Sequence, residues 1–167
     1  MPMLLSWRDG AAHAVEDAFT AVADDQPIPP GEVIVSLTRF EAEQPWLAAQ
    51  DRALGVRLTS DADPEALAPW FGRLSLIAVE FPKFRDGRGY SLARLLRERY
   101  GWLGELRAVG DVLVEQSDHL LRCGFDAFEP ADGTGAREWT AAALRHRHVY
   151  QRAADARVPA FVERAQG

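Results

Sequence analysis

Hydrophobic positions fall into two regimes along the chain. Up to about residue 30 they come in short pieces: Leu4-Leu5-Ser6-Trp7 and Ala11-Ala12-His13-Ala14-Val15 flank Arg8-Asp9-Gly10. An Asp-Gly pair tolerates the positive φ of a tight turn, so this stretch reads as a short hairpin. Asp24-Asp25-Gln26-Pro27-Ile28-Pro29-Pro30-Gly31 follows as a linker, because three prolines in four positions remove amide donors and rule out helix and central strand alike. Residues 1–30 are thus set apart as hairpin and linker, and 31–167 as a single α/β domain.

From Val33 onward, short apolar runs alternate with helical segments. Val33–Leu37 reads as a buried strand and Phe40–Ala53 as a helix, with Pro45 placing its start or a kink near Gln44. Gly55–Leu58 is a second strand, and Ser60-Asp61-Ala62-Asp63-Pro64 caps a brief helix that Pro69 distorts. Leu74–Glu80, the most apolar run, is a third strand covered on both faces. Ser91 then reads as the N-cap of a helix with Leu92, Leu95 and Leu96 facing inward. Gly104–Val109 is a fourth strand. Leu113, Leu120 and Leu121 hold a helix that Gly124 ends, and Phe125–Pro130 is a fifth strand. Trp139, Ala142, Ala143, His146, Val149, Tyr150 and Ala153 mark a long C-terminal amphipathic helix, whose aromatic content, with Phe161, exceeds what one helix needs to cover and points to self-association. Five strand-to-helix repeats predict a parallel sheet of about five strands, doubly wound, with an open half-barrel as the alternative. Either way the ends of strands three, four and five share one rim, which collects Glu80, Lys83, Arg85, Arg88, Asp111 and Glu129.

One stretch on that rim departs from the background. The net charge of the chain is −6, yet Lys83 to Arg99 carries six cations against two anions, leaving −10 for the rest. A strand delivering a cationic, glycine-rich loop to a helix start suits a small anion or an acidic partner. The candidate anion- or partner-binding residues are Lys83, Arg85, Asp86, Gly87, Arg88, Gly89, Tyr90, Ser91, Arg94, Arg107 and Asp111. Gly87-Arg88-Gly89 is neither a P-loop, since no GxxxxGK[ST] occurs, nor a dinucleotide fingerprint, which would need a third glycine at Leu92. The competing reading is a glycine turn whose arginines pair with Asp86, Glu98 and Asp111.

Other chemistry is sparse. With 167 residues, 47% hydrophobic and 26% charged, the composition is that of an ordinary globular domain. A pI near 5.2 disfavours nucleic-acid binding. No apolar run is long enough to span a membrane, and the N-terminus lacks a signal-peptide pattern, so a cytoplasmic location is expected. The single cysteine, Cys123, excludes a CxxC pair, and its place at a helix end favours packing over a thiolate role. His146 and His148 are two apart and form no i, i+4 metal pair, and His119 has no second ligand nearby. No metal and no cofactor are expected.

Read together, Glu80-Phe81-Pro82-Lys83-Phe84-Arg85-Asp86-Gly87-Arg88-Gly89-Tyr90-Ser91, Ala93-Arg94-Leu95-Leu96-Arg97, Gly104-Glu105-Leu106-Arg107-Ala108-Val109-Gly110-Asp111-Val112-Leu113 and Arg122-Cys123-Gly124-Phe125-Asp126-Ala127-Phe128 resemble a bacterial family, domain of unknown function 934. The resemblance covers about residues 31–130 and is most specific at the cationic loop. Members tend to be encoded beside assimilatory sulfite reductase and are often labelled as oxidoreductases of sulfite reduction, so the resemblance implies a role in sulfur assimilation. It brings no catalytic residues with it. Two classes of function follow. One is an accessory protein whose basic rim docks sulfite reductase or its electron donor. The other is an enzyme or carrier that binds a small oxyanion or a phosphosulfate metabolite at the same rim.

Overall fold

The computed structural model describes residues 3–83 and 85–145. Among these residues eight strands form one sheet: β1 (Leu4–Arg8), β2 (Ala11–Val15), β3 (Phe19–Ala21), β4 (Glu32–Ser36), β5 (Leu54–Leu58), β6 (Leu76–Phe81), β7 (Glu105–Gly110) and β8 (Ala127–Phe128). Their order is β2-β1-β8-β7-β6-β5-β4-β3. The helices are α1 (Leu37–Ala49), α2 (Arg88–Arg94), α3 (Ser117–Arg122) and α4 (Ala136–Ala143), with a 3-10 helix over Pro64–Trp70 and a π-helical turn over Leu95–Arg99 that prolongs α2.

From β3 to β8 each strand pairs in parallel with the next one in the sequence. A doubly wound sheet needs a reversal of strand order and helices on both faces. No reversal occurs here. Right-handed crossovers that all step in one direction put their helices on one face, and the sheet curls away from them as an open half-barrel. The expectation of about five parallel strands is corrected accordingly: the sheet is mixed and has eight strands, because the N-terminal residues join it. The hairpin forms as expected, with Asp9 and Gly10 at φ 54° and 77°, but β1 then pairs antiparallel with β8. β3 was invisible in the sequence, since three residues, Phe19-Thr20-Ala21, are too few to show alternation.

Alternation within the strands divides the core in two. Val33, Val35, Val56, Leu58, Ile77, Val79, Leu106 and Ala108 face the helices in one large cluster. Ile34, Leu76, Ala78 and Val109 face the other way, with Phe19 packed on them. Both sides of β6 are therefore covered, as its unbroken apolar run predicts.

Several boundaries moved. α1 starts at Leu37, three residues before the expected Phe40, because Ser36 caps it by accepting from Arg39 N at 3.1 Å; Pro45 lies inside it. α2 starts at Arg88, so Ser91 is within the helix and not its cap. Leu92, Ala93 and Leu96 point inward, while the π turn leaves Leu95 half-buried. Trp139 of the C-terminal helix is fully buried and stacks on Phe128 at 4.7 Å, so it contributes nothing to a self-association surface. His146, His148, Val149, Tyr150, Ala153 and Phe161 lie outside the described residues.

Two glycines set how closely the rim elements pack. Gly110 ends β7 at φ 92°, and a Cβ there would sit 2.4 Å from the carbonyl oxygen of Phe81. A Cβ on Gly89 would lie 2.7 Å from the Phe81 ring, which presses α2 onto β6. Gly110→Ala is expected to destabilise the fold by about 2–4 kcal/mol in urea unfolding, combining left-handed strain with a backbone clash. Gly72→Ala, where the added Cβ meets no atom beyond its chain neighbours within 4 Å, should stay within about 0.5 kcal/mol of wild type.

Candidate functional site

The C-terminal ends of β5, β6 and β7 meet at one rim. The backbone amide of Asp111 donates to Phe81 O at 2.7 Å, tying the end of β7 to the start of the cationic loop. Beside it a cavity of about 240 Å³ is lined by Thr59, Ser60, Asp61, Glu80, Pro82 and Arg88. A second recess of about 390 Å³ shares Ser60, Asp61 and Arg88 and continues to Ser91 and Leu95.

Asp86 organises this corner. Its Oδ1 accepts from Arg88 N at 3.1 Å and from Arg88 Nε at 3.0 Å, and its Oδ2 accepts from Arg88 Nη2 at 2.7 Å and from Ser60 Oγ at 3.0 Å. One carboxylate thus occupies the guanidinium fork, the first amide of α2 and the hydroxyl on the neighbouring loop. These bonds hold its carboxyl well below the usual carboxylate range, the Arg88 guanidinium contributing most, then the Arg88 amide, with Ser60 adding to them. In return Asp86 raises the Arg88 pKa. Asp61 is lowered in the same way by the Thr59 side chain, and Glu80 pairs with Arg57 at 3.7 Å. At and around the cavity, three carboxylates face two guanidinium groups.

The other expected site residues divide into several environments. Lys83, Arg85, Arg88, Ser91 and Arg94 are exposed, as is Arg99, and Arg94 pairs with Glu98 one turn on. Gly87 has open space around it, whereas Gly89 is buried under Phe81. Tyr90 packs on Phe81 and His119 and takes a 2.6 Å hydrogen bond from Gln116 Nε2, clasping α2 to the segment before α3. Arg97, one of the six cations of the stretch, turns inward to donate to the carbonyls of Gly124, Trp102 and Gly104.

Arg107 belongs to neither the loop nor the rim. Its side chain is 1% exposed on the inner face of the sheet, where Nη1 meets Asp17 at 2.7 Å and Glu129 at 3.2 Å and Nε meets Glu105 at 2.8 Å. Burial opposes its charge most, and the carboxylates of Asp17 and Glu105 more than offset that, so its pKa is raised. Burial likewise pushes the Glu129 carboxyl up, against the pull of Arg107. Sequence reading passed over Asp17 within the N-terminal hairpin and linker and over Ser60 and Asp61 as caps of the next helix. Their position at strand ends was the available signal, and it depends on knowing the strand order.

Cys123 is buried, with its Sγ 3.9 Å from His119 Nε2. Among the described residues no group of three or more His, Cys, Asp or Glu is placed to hold a metal ion, and no helix is long and apolar enough to cross a membrane.

A family model, Bacterial protein of unknown function (DUF934), matches residues 55–161, from β5 past α4. The chain belongs to this family. The matched region contains the whole cationic loop, the rim cavity and Arg107, while Asp17 lies before it. No curated protein and no solved structure matches the chain. The DUF934 description assigns no activity, so the geometry of the rim carries the functional argument.

Two outcomes are expected from this geometry. The Asp86 carboxyl, followed by carbon NMR, should titrate below the ordinary carboxylate range, and Arg88→Ala should bring it back up. Because its folded pKa is depressed, the pairing stabilises the fold above the unfolded carboxylate pKa and is lost as pH falls through the folded one. Arg107→Ala, which strands three carboxylates around one buried gap, should cost about 3–5 kcal/mol in denaturant unfolding.

Proposed function

We propose that this protein is an accessory component of assimilatory sulfite reduction whose cationic rim docks an acidic surface of sulfite reductase or of its electron donor. The observation that supports docking over a small-anion site is the position of Asp86. An oxyanion cradle requires open amides and an open guanidinium at the turn. Here Asp86 takes both, Ser60 holds it there, and Gly89 faces Phe81. The cations stand on the outside instead: Lys83, Arg85, Arg88, Arg94 and Arg99 are exposed along the loop and α2, in a chain that is acidic elsewhere. A patch of one sign on a background of the other steers an oppositely charged partner and fixes its orientation. The link to sulfite reduction comes from the genomic setting that the family resemblance implies.

The test is association of the full chain with sulfite reductase and with its electron donor, measured at low and physiological salt. Lys83→Glu and Arg88→Glu should each weaken binding about tenfold, mostly through a slower association rate and a flatter salt dependence. Calorimetry with sulfite, sulfate and a phosphosulfate nucleotide should show no heat. Heat with one of these anions that disappears in Arg88→Ala would replace docking by the small-oxyanion reading, and unchanged partner affinity in both reversals would remove the docking reading.

A further inference from the structure

Resting on the docking reading, we propose that Asp86 is a built-in competitor for the partner's carboxylate: it occupies the Arg88 fork in the free protein and gives it up when an acidic side chain of the partner arrives. Three features carry this. The pair is bidentate and local, two residues apart, with Arg88 Nε and Nη2 on the two oxygens of Asp86. Its two halves differ in exposure, since the Arg88 side chain is 62% exposed and that of Asp86 only 13%. The arginine can therefore swing out to a partner while the carboxylate stays. Asp86 also keeps partners after the exchange, because Ser60 Oγ donates to Oδ2 and the Arg88 amide to Oδ1. Losing the guanidinium does not strand it.

An exchange of this kind has a definite consequence. An incoming carboxylate gains a bidentate pair and breaks a similar one, so the net affinity at this residue is small and selects for partners that bring several acidic groups at once. Single small anions gain little. The loop is then selective for an acidic surface over the pool of metabolite anions, through competition and with no need for a shaped pocket.

The probe is a capped hexaglutamate peptide, titrated at about 20 mM salt into the full chain and followed by NMR shifts. Wild type, Asp86→Asn, Arg88→Ala and the double variant are compared. Asparagine keeps an oxygen for the Arg88 amide, and its Nδ2 takes the place of Oδ2 and donates to Ser60 Oγ, which preserves the turn, and matching thermal melts confirm it. Asp86→Asn is expected to bind the peptide about two- to fivefold tighter than wild type, the span of an exposed ion pair, and that gain should vanish in the Arg88→Ala background. In wild type the Asp86 carboxyl carbon should shift as the peptide saturates. If Arg88→Ala weakens binding but Asp86→Asn does not strengthen it, competition is refuted and docking stands. A gain that survives in the double variant reflects only the lost negative charge and also refutes competition. Binding indifferent to Arg88→Ala overturns the role of Arg88 in docking, and the competitor with it.

Discussion

A guanidinium withdrawn from water is tolerated only where carboxylates surround it, and Arg107 is withdrawn almost completely. The three that answer it come from separated parts of the chain: Glu105 from its own strand, Glu129 from just beyond β8, and Asp17 from the three residues that join β2 to β3. Those two strands are the opposite edges of the sheet. The joining segment therefore crosses the inner face, where Asp17 also accepts from Phe19 N at 3.0 Å and Phe19 covers Ile34, Leu76, Ala78 and Val109. The Phe19 ring lies 5.9 Å from the Arg107 guanidinium. Among the described residues Phe19 is the partly buried side chain packed on this inner apolar cluster, and the charged clasp ties the segment between β2 and β3, which leads into it, to β7.

The exposed cations of the loop and α2 stand at the rim instead. There the packing is governed by contacts to Phe81: Gly110 approaches its carbonyl and Gly89 its ring. These two contacts fix the angle at which the loop leaves β6 and re-enters α2, and hence the direction in which the exposed cations point. Arg97 serves the opposite end of α2, where its bonds to three carbonyls hold the Trp102 to Gly104 turn. A stretch that reads as a uniform positive run is thus divided by geometry into cations that face outward and one that binds the chain to itself. Asp86 sits at the division, lowering the local charge of the rim and leaving the fork of Arg88 conditionally available.

Much of this was legible in the residues. The unbroken Leu74–Val79 run announced a strand covered on both faces, Asp9-Gly10 announced the hairpin, and the density of cations after Glu80 marked a stretch whose Lys83, Arg85, Arg88, Arg94 and Arg99 are exposed. The strand β3 and the role of Asp17 were not legible, because three residues carry no period and an acidic residue beside a hairpin looks like any solvated charge. Arg107 shared the fate of Asp17: a cation in a strand can face solvent or a buried acid, and only the neighbour across the fold decides which.

Local order in the chain determined where most of the helices and strands form, β3 excepted, since apolar spacing, Asp-Gly turns and capping side chains act over a few residues and need no partner. Strand order, the curl of the sheet and the fate of each charge came from the tertiary structure alone. Sequential parallel pairing is a choice among topologies that the same apolar runs allow. The pairing of Arg107 with Asp17 joins positions ninety residues apart, and the carboxylate that fills the Arg88 fork is distinguished from other nearby acids only by distance and angle. Burial and hydrogen bonding set those energies, and both are properties of neighbours that the linear sequence does not name.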